Sequence, residues 1–275
     1  MNLTRTNDGA DRVAGSVAVI TGAGAGIGRG IARRLGAAGA SVVVADFDAA
    51  RGTAVAEEIA AAGGEVIDCA TDVRDHASVD ALVEGALDRF GRIDLLVNSA
   101  GVVTVEPFLE ASLEAWRNVF AVNVEGALLT IQRAGAAMVG QEPSPTTGCR
   151  GKIVNVSSAA AEVGRPFLPA YGASKAALNH LSKTAAAVLA EHAVPVTVLY
   201  PGNVADGMWD RLGGMIAVAE GKQPEEVVRD RMAITPAGRF QTADEVAELA
   251  LFVAAHVGMG LNGRILWTEP HVTEL

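Results

Sequence analysis

Cysteine and histidine are too scarce in this 275-residue chain to carry a scaffold. Its two cysteines, Cys69 and Cys149, lack C-x-x-C spacing and its five histidines lack zinc-ligand spacing, which argues against a disulfide framework and against a metal site. Positive charge is also short: 22 Lys and Arg face 32 Asp and Glu, a formal net charge of -10. A chain of that sign repels phosphate backbones and anionic lipid, so neither nucleic acid nor a membrane is an expected partner. No uninterrupted apolar run approaches the thickness of a bilayer, and Met1 to Gly15 are polar and mixed in charge, without the apolar centre of a secretory signal. A cytoplasmic location is expected. Tyrosine is down to two residues.

Small apolar residues are plentiful instead, and a chain that is 50% hydrophobic can bury one substantial core. Short β-rich runs alternate with longer alanine-rich segments of helical period. The runs are Val17 to Ile20, Val42 to Ala45, Glu65 to Ile67, Leu95 to Asn98, Lys152 to Val156, Val196 to Tyr200 and Arg264 to Trp267. This alternation predicts βαβ units. Several runs are apolar throughout, as strands covered on both faces require. The expected fold class is α/β: a single-domain, Rossmann-type doubly wound parallel sheet of about seven strands with helices on both faces. Residues 1-14 are read as a flexible N-terminal segment and 15-275 as one domain. Pro143, Pro145 and Gly148 mark a surface loop between Gly140 and Gly151. From Asn203 to Pro236 the strand rhythm breaks for an extra helical stretch with Met208, Trp209, Met215 and Ile216. It follows a strand's C-terminal end and is read as a lid over the substrate, at about 203-236.

The stretch Thr21-Gly22-Ala23-Gly24-Ala25-Gly26-Ile27-Gly28 follows the first strand and opens a helix. Its glycines permit a tight turn and close approach of backbone to a pyrophosphate, and the helix N-terminus adds N–H donors and a positive dipole end. Such runs also serve as plain strand–helix turns; the strand before and helix after favour the binding reading. Asp46 ends the second strand, where its carboxylate can accept from adenosine ribose hydroxyls and would repel a 2′-phosphate. Neither Ala25 nor Phe47 offers a compensating cation, so NAD is the expected cofactor. Asp72 and Val73, after the third strand, are candidates to cradle the adenine.

Tyr171 and Lys175 are four apart at the start of a helical segment and share one face. An ammonium beside a phenol favours phenolate, and a phenol of ordinary pKa about 10 needs that help to act as a base near neutrality. With two tyrosines and four lysines, the spacing is expected by chance about 0.03 times. A surface packing pair is the bland alternative. Ser157 and Ser158 end the fifth strand; a serine there can donate to a substrate oxygen as charge develops, or can simply cap a turn. Asn123 sits between Val122 and Val124 in a helical segment, which predicts burial and an obligatory hydrogen-bonding task.

Together, the Thr21 to Gly28 turn, Asp72, Asn98-Ser99-Ala100-Gly101, Asn123, Ser158, Tyr171, Lys175 and Pro201-Gly202 resemble the short-chain dehydrogenase/reductase family over nearly the whole chain, and in particular its NAD-dependent polyol and diol dehydrogenases. The resemblance implies Tyr171 as general acid or base, Lys175 as the group that lowers its pKa and holds the nicotinamide ribose, Ser158 as the orienter of the substrate oxygen, and Asn123 as anchor of a water relay to Lys175. It implies Gly22, Gly26, Ile27, Gly28, Asp46, Asp72, Val73, Asn98, Ala100, Gly101, Tyr171, Lys175, Pro201, Gly202 and Val204 as cofactor contacts, and a homo-oligomer, tetramer favoured.

Three positions depart from the pattern. Ser99 replaces a second asparagine, Asp206 stands where a threonine is frequent, and Trp267-Thr268-Glu269-Pro270-His271 replaces a glycine-rich turn. The expected function is hydride transfer between NAD(H) and a secondary alcohol or ketone, with a polyol or diol as substrate. A ketone or 3-oxoacyl reductase and a catalytically silent NAD-binding regulatory module are the alternatives.

Overall fold

A computed structural model describes residues 8–205, 207–233, 235 and 237–268. Seven strands form one sheet: β1 Val17–Thr21, β2 Ser41–Asp46, β3 Val66–Ala70, β4 Leu95–Asn98, β5 Lys152–Val156, β6 Val196–Tyr200 and β7 Ile265–Trp267. Their order is β3-β2-β1-β4-β5-β6-β7, and every pairing is parallel. The order reverses between β1 and β4, where the connections leave to opposite faces and open a crevice at the strands' C-terminal ends.

Alternate residues of each strand feed two cores. On one face Ala18, Ile20, Val42, Val44, Leu95 and Val97 meet α2 Gly26–Ala37, α3 Ala49–Ala61 and α10 Ala243–Ala255 through Ile31, Leu35, Val55, Ile59, Val246 and Leu251. On the other, Val19, Val43, Leu96, Ile153 and Val196 meet α4 His76–Phe90, α6 Gly126–Val139 and α7 Pro169–Leu189 through Leu82, Ala86, Ile131, Met138 and Ala185. Because both faces are covered, the central strands β1, β4, β5 and β6 are buried at every position.

Two expectations need correction. The third run reaches from Val66 to Ala70 instead of stopping at Ile67, with Asp68 and Ala70 exposed. As an edge strand it keeps a solvated side, and its polar positions hid its length. The N-terminal segment read as flexible contains a helix, α1 Asp8–Val13, whose Val13 is buried against the α2/α10 core.

Helix ends carry local signals. Asp75 accepts from the Ala77 N–H at the start of α4, and Gly91, at φ 78°, ends it in the left-handed region that favours glycine. Thr242 and Glu245 form a reciprocal capping box at the start of α10. At the other end of α10, the buried Lys152 ammonium donates to the carbonyls of Val253 at 3.3 Å and His256 at 2.5 Å, and to that of Ala254. The helical stretch after β6 folds as two helices, α8 Gly207–Glu220 and α9 Pro224–Ala233, with a small core of its own formed by Ile216, Ala217 and Val227 against Val105 and Leu212. Its base is tied by a parallel bridge between Val204 and Gln241.

Candidate active site

A cleft of about 980 Å³ opens at the C-terminal ends of the strands. It runs from the β1–α2 glycine turn, past Ser158, Tyr171 and Lys175, to helices α8 and α9.

The glycine turn is built by close approach. Gly22 has φ +65°, and a Cβ there would lie 2.7 Å from the Ala100 backbone; one at Gly28 would lie 2.2 Å from the Gly22 carbonyl oxygen. Backbone thus packs on backbone, and Gly22, Gly26, Ile27 and Gly28 line the cleft at the N-terminus of α2. Asp46 closes the turn: its Oδ2 accepts from the Gly24 N–H at 2.8 Å and its Oδ1 from the Asp48 N–H at 2.9 Å. Each oxygen keeps a lone pair for a ribose hydroxyl.

Neither Ala25 nor Phe47 carries a cation, but two arginines at other positions stand at this end of the cleft. Arg51, in the first turn of α3, and Arg74, after β3, both line this end of the cleft. Each is engaged. Arg51 pairs with Asp48 at 3.2 Å, and Arg74 forms a fork on Asp72, with contacts of 2.7 Å and 2.9 Å, while its guanidinium lies 5.6 Å from the Phe47 ring centroid. The side-chain hydrogen bond from Arg74 holds the Asp72 carboxyl below the usual carboxylate range. Asp72 and Val73 line the cleft as expected.

Among the residues expected around the cofactor, Asn98 does not line the cleft. It is buried in the sheet, where its amide donates to Asn155 at 2.9 Å and its carbonyl accepts from Thr130 at 2.7 Å. Asn155 in turn donates to Ser182 at 2.8 Å, so Asn98 belongs to a buried polar ladder that braces β4, β5, α6 and α7. Ala100 and Gly101 do line the cleft, as do Ser99, Pro201, Gly202 and Val204.

Asn123 lies in a π-helical turn, Ala121–Glu125, that joins α5 Leu113–Phe120 to α6. Such a turn inserts one residue into the helical register and is a frequent mark of functional sites; a hydrophobic pattern does not reveal it. The turn buries Asn123. Its Oδ1 accepts from the Val102 N–H at 2.8 Å, and its Nδ2 donates to the Val102 carbonyl and to Ser174 Oγ, both at 3.0 Å. The side chain therefore staples the segment after β4 to α7.

Ser158 both caps a turn and faces the cleft. It caps the 3-10 turn Ala159–Ala161, accepting from the Ala160 N–H at 3.1 Å, and it lines the cleft. Tyr171 lines the cleft from the first turn of α7, and the Lys175 ammonium lies 5.7 Å from its ring centroid. Lys175 is buried, donates to the Val156 carbonyl at 2.9 Å, and is pushed down to about 8 by desolvation. A Cβ at Gly101 would lie 3.4 Å from Asn123 Oδ1 and 3.6 Å from Lys175 Nζ, so Asn123, Lys175 and Tyr171 are neighbours.

The other tyrosine does not line the cleft. Tyr200 is fully buried at the end of β6, donates to Glu162 at 3.1 Å, and accepts from Asn179. Burial, followed by the Glu162 charge, pushes its phenol up and keeps it neutral. Asp206 and the tail from Glu269 lie outside the described residues. Sequence reading missed the cleft arginines Arg51, Arg74, Arg165 and Arg231. All sit in helix turns or loops, and no spacing rule announces where such long side chains converge. Among the described residues, no group of three or more His, Cys, Asp and Glu could hold a metal ion.

Comparison with known proteins agrees with this geometry. Residues 16–215 match the family model for short chain dehydrogenases. The chain is 32% identical over 255 residues to an L-2,3-butanediol dehydrogenase from Corynebacterium glutamicum, covering 92% of this chain and 96% of the relative. Among solved structures, an NAD⁺-bound xylitol dehydrogenase superposes with a TM-score of 0.87 at 27% identity, over 94% of this chain and 99% of that one. A protein from Beutenbergia cavernae assigned as an NAD(P)-dependent gluconate 5-dehydrogenase, with NADP at low occupancy, gives 0.80 at 32% identity, over 93% and 96%.

Proposed function

The chain belongs to the short-chain dehydrogenase family, and on that premise we propose that it is an NAD-dependent oxidoreductase that interconverts a secondary alcohol and its ketone, with a polyol or diol as the alcohol. The observation that carries this reading is the buried Lys175 ammonium 5.7 Å from the ring of the cleft-lining Tyr171, with Ser158 on the same wall. Three relatives of 27–32% identity, named for butanediol, xylitol and gluconate, favour a hydroxylated substrate.

The residues present fit a nicotinamide dinucleotide. The glycine cradle leaves no space for a Cβ at Gly22 or Gly28, and the turn offers backbone N–H groups to a pyrophosphate. Asp46 favours NAD, because its spare lone pairs suit a ribose diol and its charge repels a 2′-phosphate. Arg51 and Arg74 do not reverse that preference, since each is already matched by a carboxylate. The bound nicotinamide supplies the hydride acceptor, or in reverse the donor.

In the oxidative direction Tyr171 Oη takes the hydroxyl proton of the alcohol as the carbinol hydride leaves. Lys175 makes the phenolate accessible: a cation beside Tyr171 favours the charged form of the phenol. Ser158 Oγ donates to the substrate oxygen and fixes it opposite Tyr171. Asn123 holds the wall that carries Gly101 and Val102 against α7, and so keeps Lys175 in register. The same groups in reverse describe a ketone reductase.

The enzyme is proposed to act in the cytoplasm as a homotetramer. Exposed Phe108, Leu109 and Leu113 around the start of α5, Leu128 on α6 and Val188 on α7 supply apolar surface for such an assembly. Among the described residues, no helix is long and apolar enough to cross a membrane.

The test is nicotinamide reduction followed by absorbance, with NAD⁺ and NADP⁺ compared across sugar alcohols, vicinal diols and simple secondary alcohols. Turnover with NAD⁺ and a polyol or diol supports the reading. Turnover with NADP⁺ alone overturns the Asp46 argument, and NAD⁺ binding without turnover of any alcohol or ketone favours a silent module.

A further inference from the structure

The two halves of the cleft differ in how their charge is balanced. In the half that receives the adenosine, Arg51 and Arg74 face Asp46, Asp48 and Asp72. In the half between Tyr171 and the lid, Arg165 and Arg231 line the wall, and the described lining residues include no carboxylate there. Arg165 lies in the loop joining Ser158 to Tyr171, so it shares a short segment with both reacting side chains. It is partly buried and has no ion-pair partner among the described residues.

Arg231, on α9, reaches Glu220 at 3.4 Å, but Glu220 is shared with Lys222 at 3.0 Å. Lys222 also takes Asp230 at 3.0 Å. Among the described residues, Arg231 thus shares its one carboxylate and Arg165 has none. Desolvation and the Arg231 charge both push the Arg165 guanidinium down. Two like charges held in a partly dry wall repel at a cost that a bound anion removes. A guanidinium also presents a planar fork that matches carboxylate or phosphate in two parallel hydrogen bonds.

We infer that the polyol carries an anionic group, carboxylate or phosphate, which Arg165 and Arg231 hold while a secondary hydroxyl of the same molecule faces Tyr171 and Ser158. This inference rests on the secondary-alcohol reading of the cleft and narrows its substrate class. The anion is the handle: it seats the chain of hydroxyls so that one carbon is presented to the nicotinamide. Loop and lid each contribute one arginine, so the anion also bridges the lid to the body of the protein.

The experiment is equilibrium binding to the NAD⁺-loaded Tyr171→Phe enzyme, by titration calorimetry at constant ionic strength, with a six-carbon aldonate, a hexitol phosphate and the uncharged hexitol. Steady-state turnover of the same three compounds is measured with the unmodified enzyme. At least one charged probe should bind about tenfold or more tighter than the hexitol, and the aldonate and phosphate arms identify which anion the fork prefers. Adding Arg165→Met should erase that advantage, a loss of roughly ten- to a hundredfold, and Arg165→Lys should restore only part of it. Arg231→Met should weaken the same probe, which covers the case of an Arg165 variant that does not fold.

Equal affinity for charged and uncharged probes overturns the inference. So does an Arg165→Met variant that weakens NAD⁺ by the same factor as the probe, because the guanidinium then serves the cofactor. If the neutral hexitol is oxidised with no preference for an anion, the dehydrogenase reading survives and the anion site falls. If a charged probe binds through Arg165 but no alcohol is oxidised, the reverse holds.

Discussion

A buried lysine stands at each end of strand β5, one on the strand itself and one on α7, and the two differ in their company. Lys152 opens the strand and gives its ammonium to carbonyls at the end of α10. Lys175 comes from α7 to the other end of the strand, gives one hydrogen bond to the Val156 carbonyl, and spends the rest of its field on Tyr171. Burial pushes both down to about 8. A perturbed lysine is therefore not in itself a sign of chemistry. Lys152 is a helix cap on the side of the sheet away from the crevice, near Cys149, whose thiol is pushed up by burial. Lys175 is placed at the crevice, beside a phenol that lines it.

The sharpest way to break this comparison is to remove each ammonium in turn. Lys175→Met should lower kcat about 10²- to 10⁴-fold, while the far-ultraviolet spectrum and the assembly stay as in the parent. Lys152→Met should do the opposite, leaving kcat within about twofold and lowering the free energy of unfolding in urea by about 1–3 kcal/mol, because buried carbonyls of α10 lose their donor. An activity loss in Lys152→Met that matches Lys175→Met would make the distinction between the two ends of β5 untenable.

A second effect of comparable size is shared. The folded protein holds the proton on each lysine only up to about pH 8, whereas an unfolded chain holds it to about 10.4. Between those values the unfolded state binds more protons, so stability rises with pH across that window, by about 3 kcal/mol for each lysine. Below about pH 8 the cost of the buried charge is fully present, and above about 10.4 it is gone. Urea unfolding from pH 7 to 10.5 should show a smaller rise in either methionine variant; a rise unchanged in both would remove burial as the cause.

The smallest effect comes from the far end of α10. If Lys152 acts as a cap, then Thr242→Ala at the capping box should weaken the same helix, by about 1 kcal/mol, with unchanged kcat. Combined with Lys152→Met it should add nearly in full, since the two act on opposite ends of α10.

The sequence alone told these two lysines apart only through Tyr171, four residues before Lys175, because a shared helix face is a local property. Lys152 carried no such mark: its partners Val253, Ala254 and His256 lie about a hundred residues further on and are brought to it by the fold. The same division runs through the molecule. Central strands such as Val42 to Ala45 announced themselves by apolar runs, whereas β3 kept exposed Asp68 and Ala70 and was read short. The glycine turn and Asp46 were legible because backbone geometry dictates glycine there and Asp46 follows at a fixed interval. Asn98 borders the turn Ser99-Ala100-Gly101 that lines the cleft, and the ladder that takes its own side chain, with Thr130 and Asn155, was not legible because those partners are brought to it by the fold. Arg51, Arg74, Arg165 and Arg231 were invisible because long side chains meet through tertiary structure, not through spacing.

The central claim is that Tyr171 moves the substrate proton, and Tyr171→Phe tests it most directly, since the change deletes one oxygen and leaves the ring to fill its place. NAD⁺ reduction with the best alcohol found for the parent enzyme should fall about 10²- to 10⁴-fold, with NAD⁺ affinity retained. Turnover at the parent rate by a folded Tyr171→Phe enzyme would contradict the account and remove Tyr171 from the reaction.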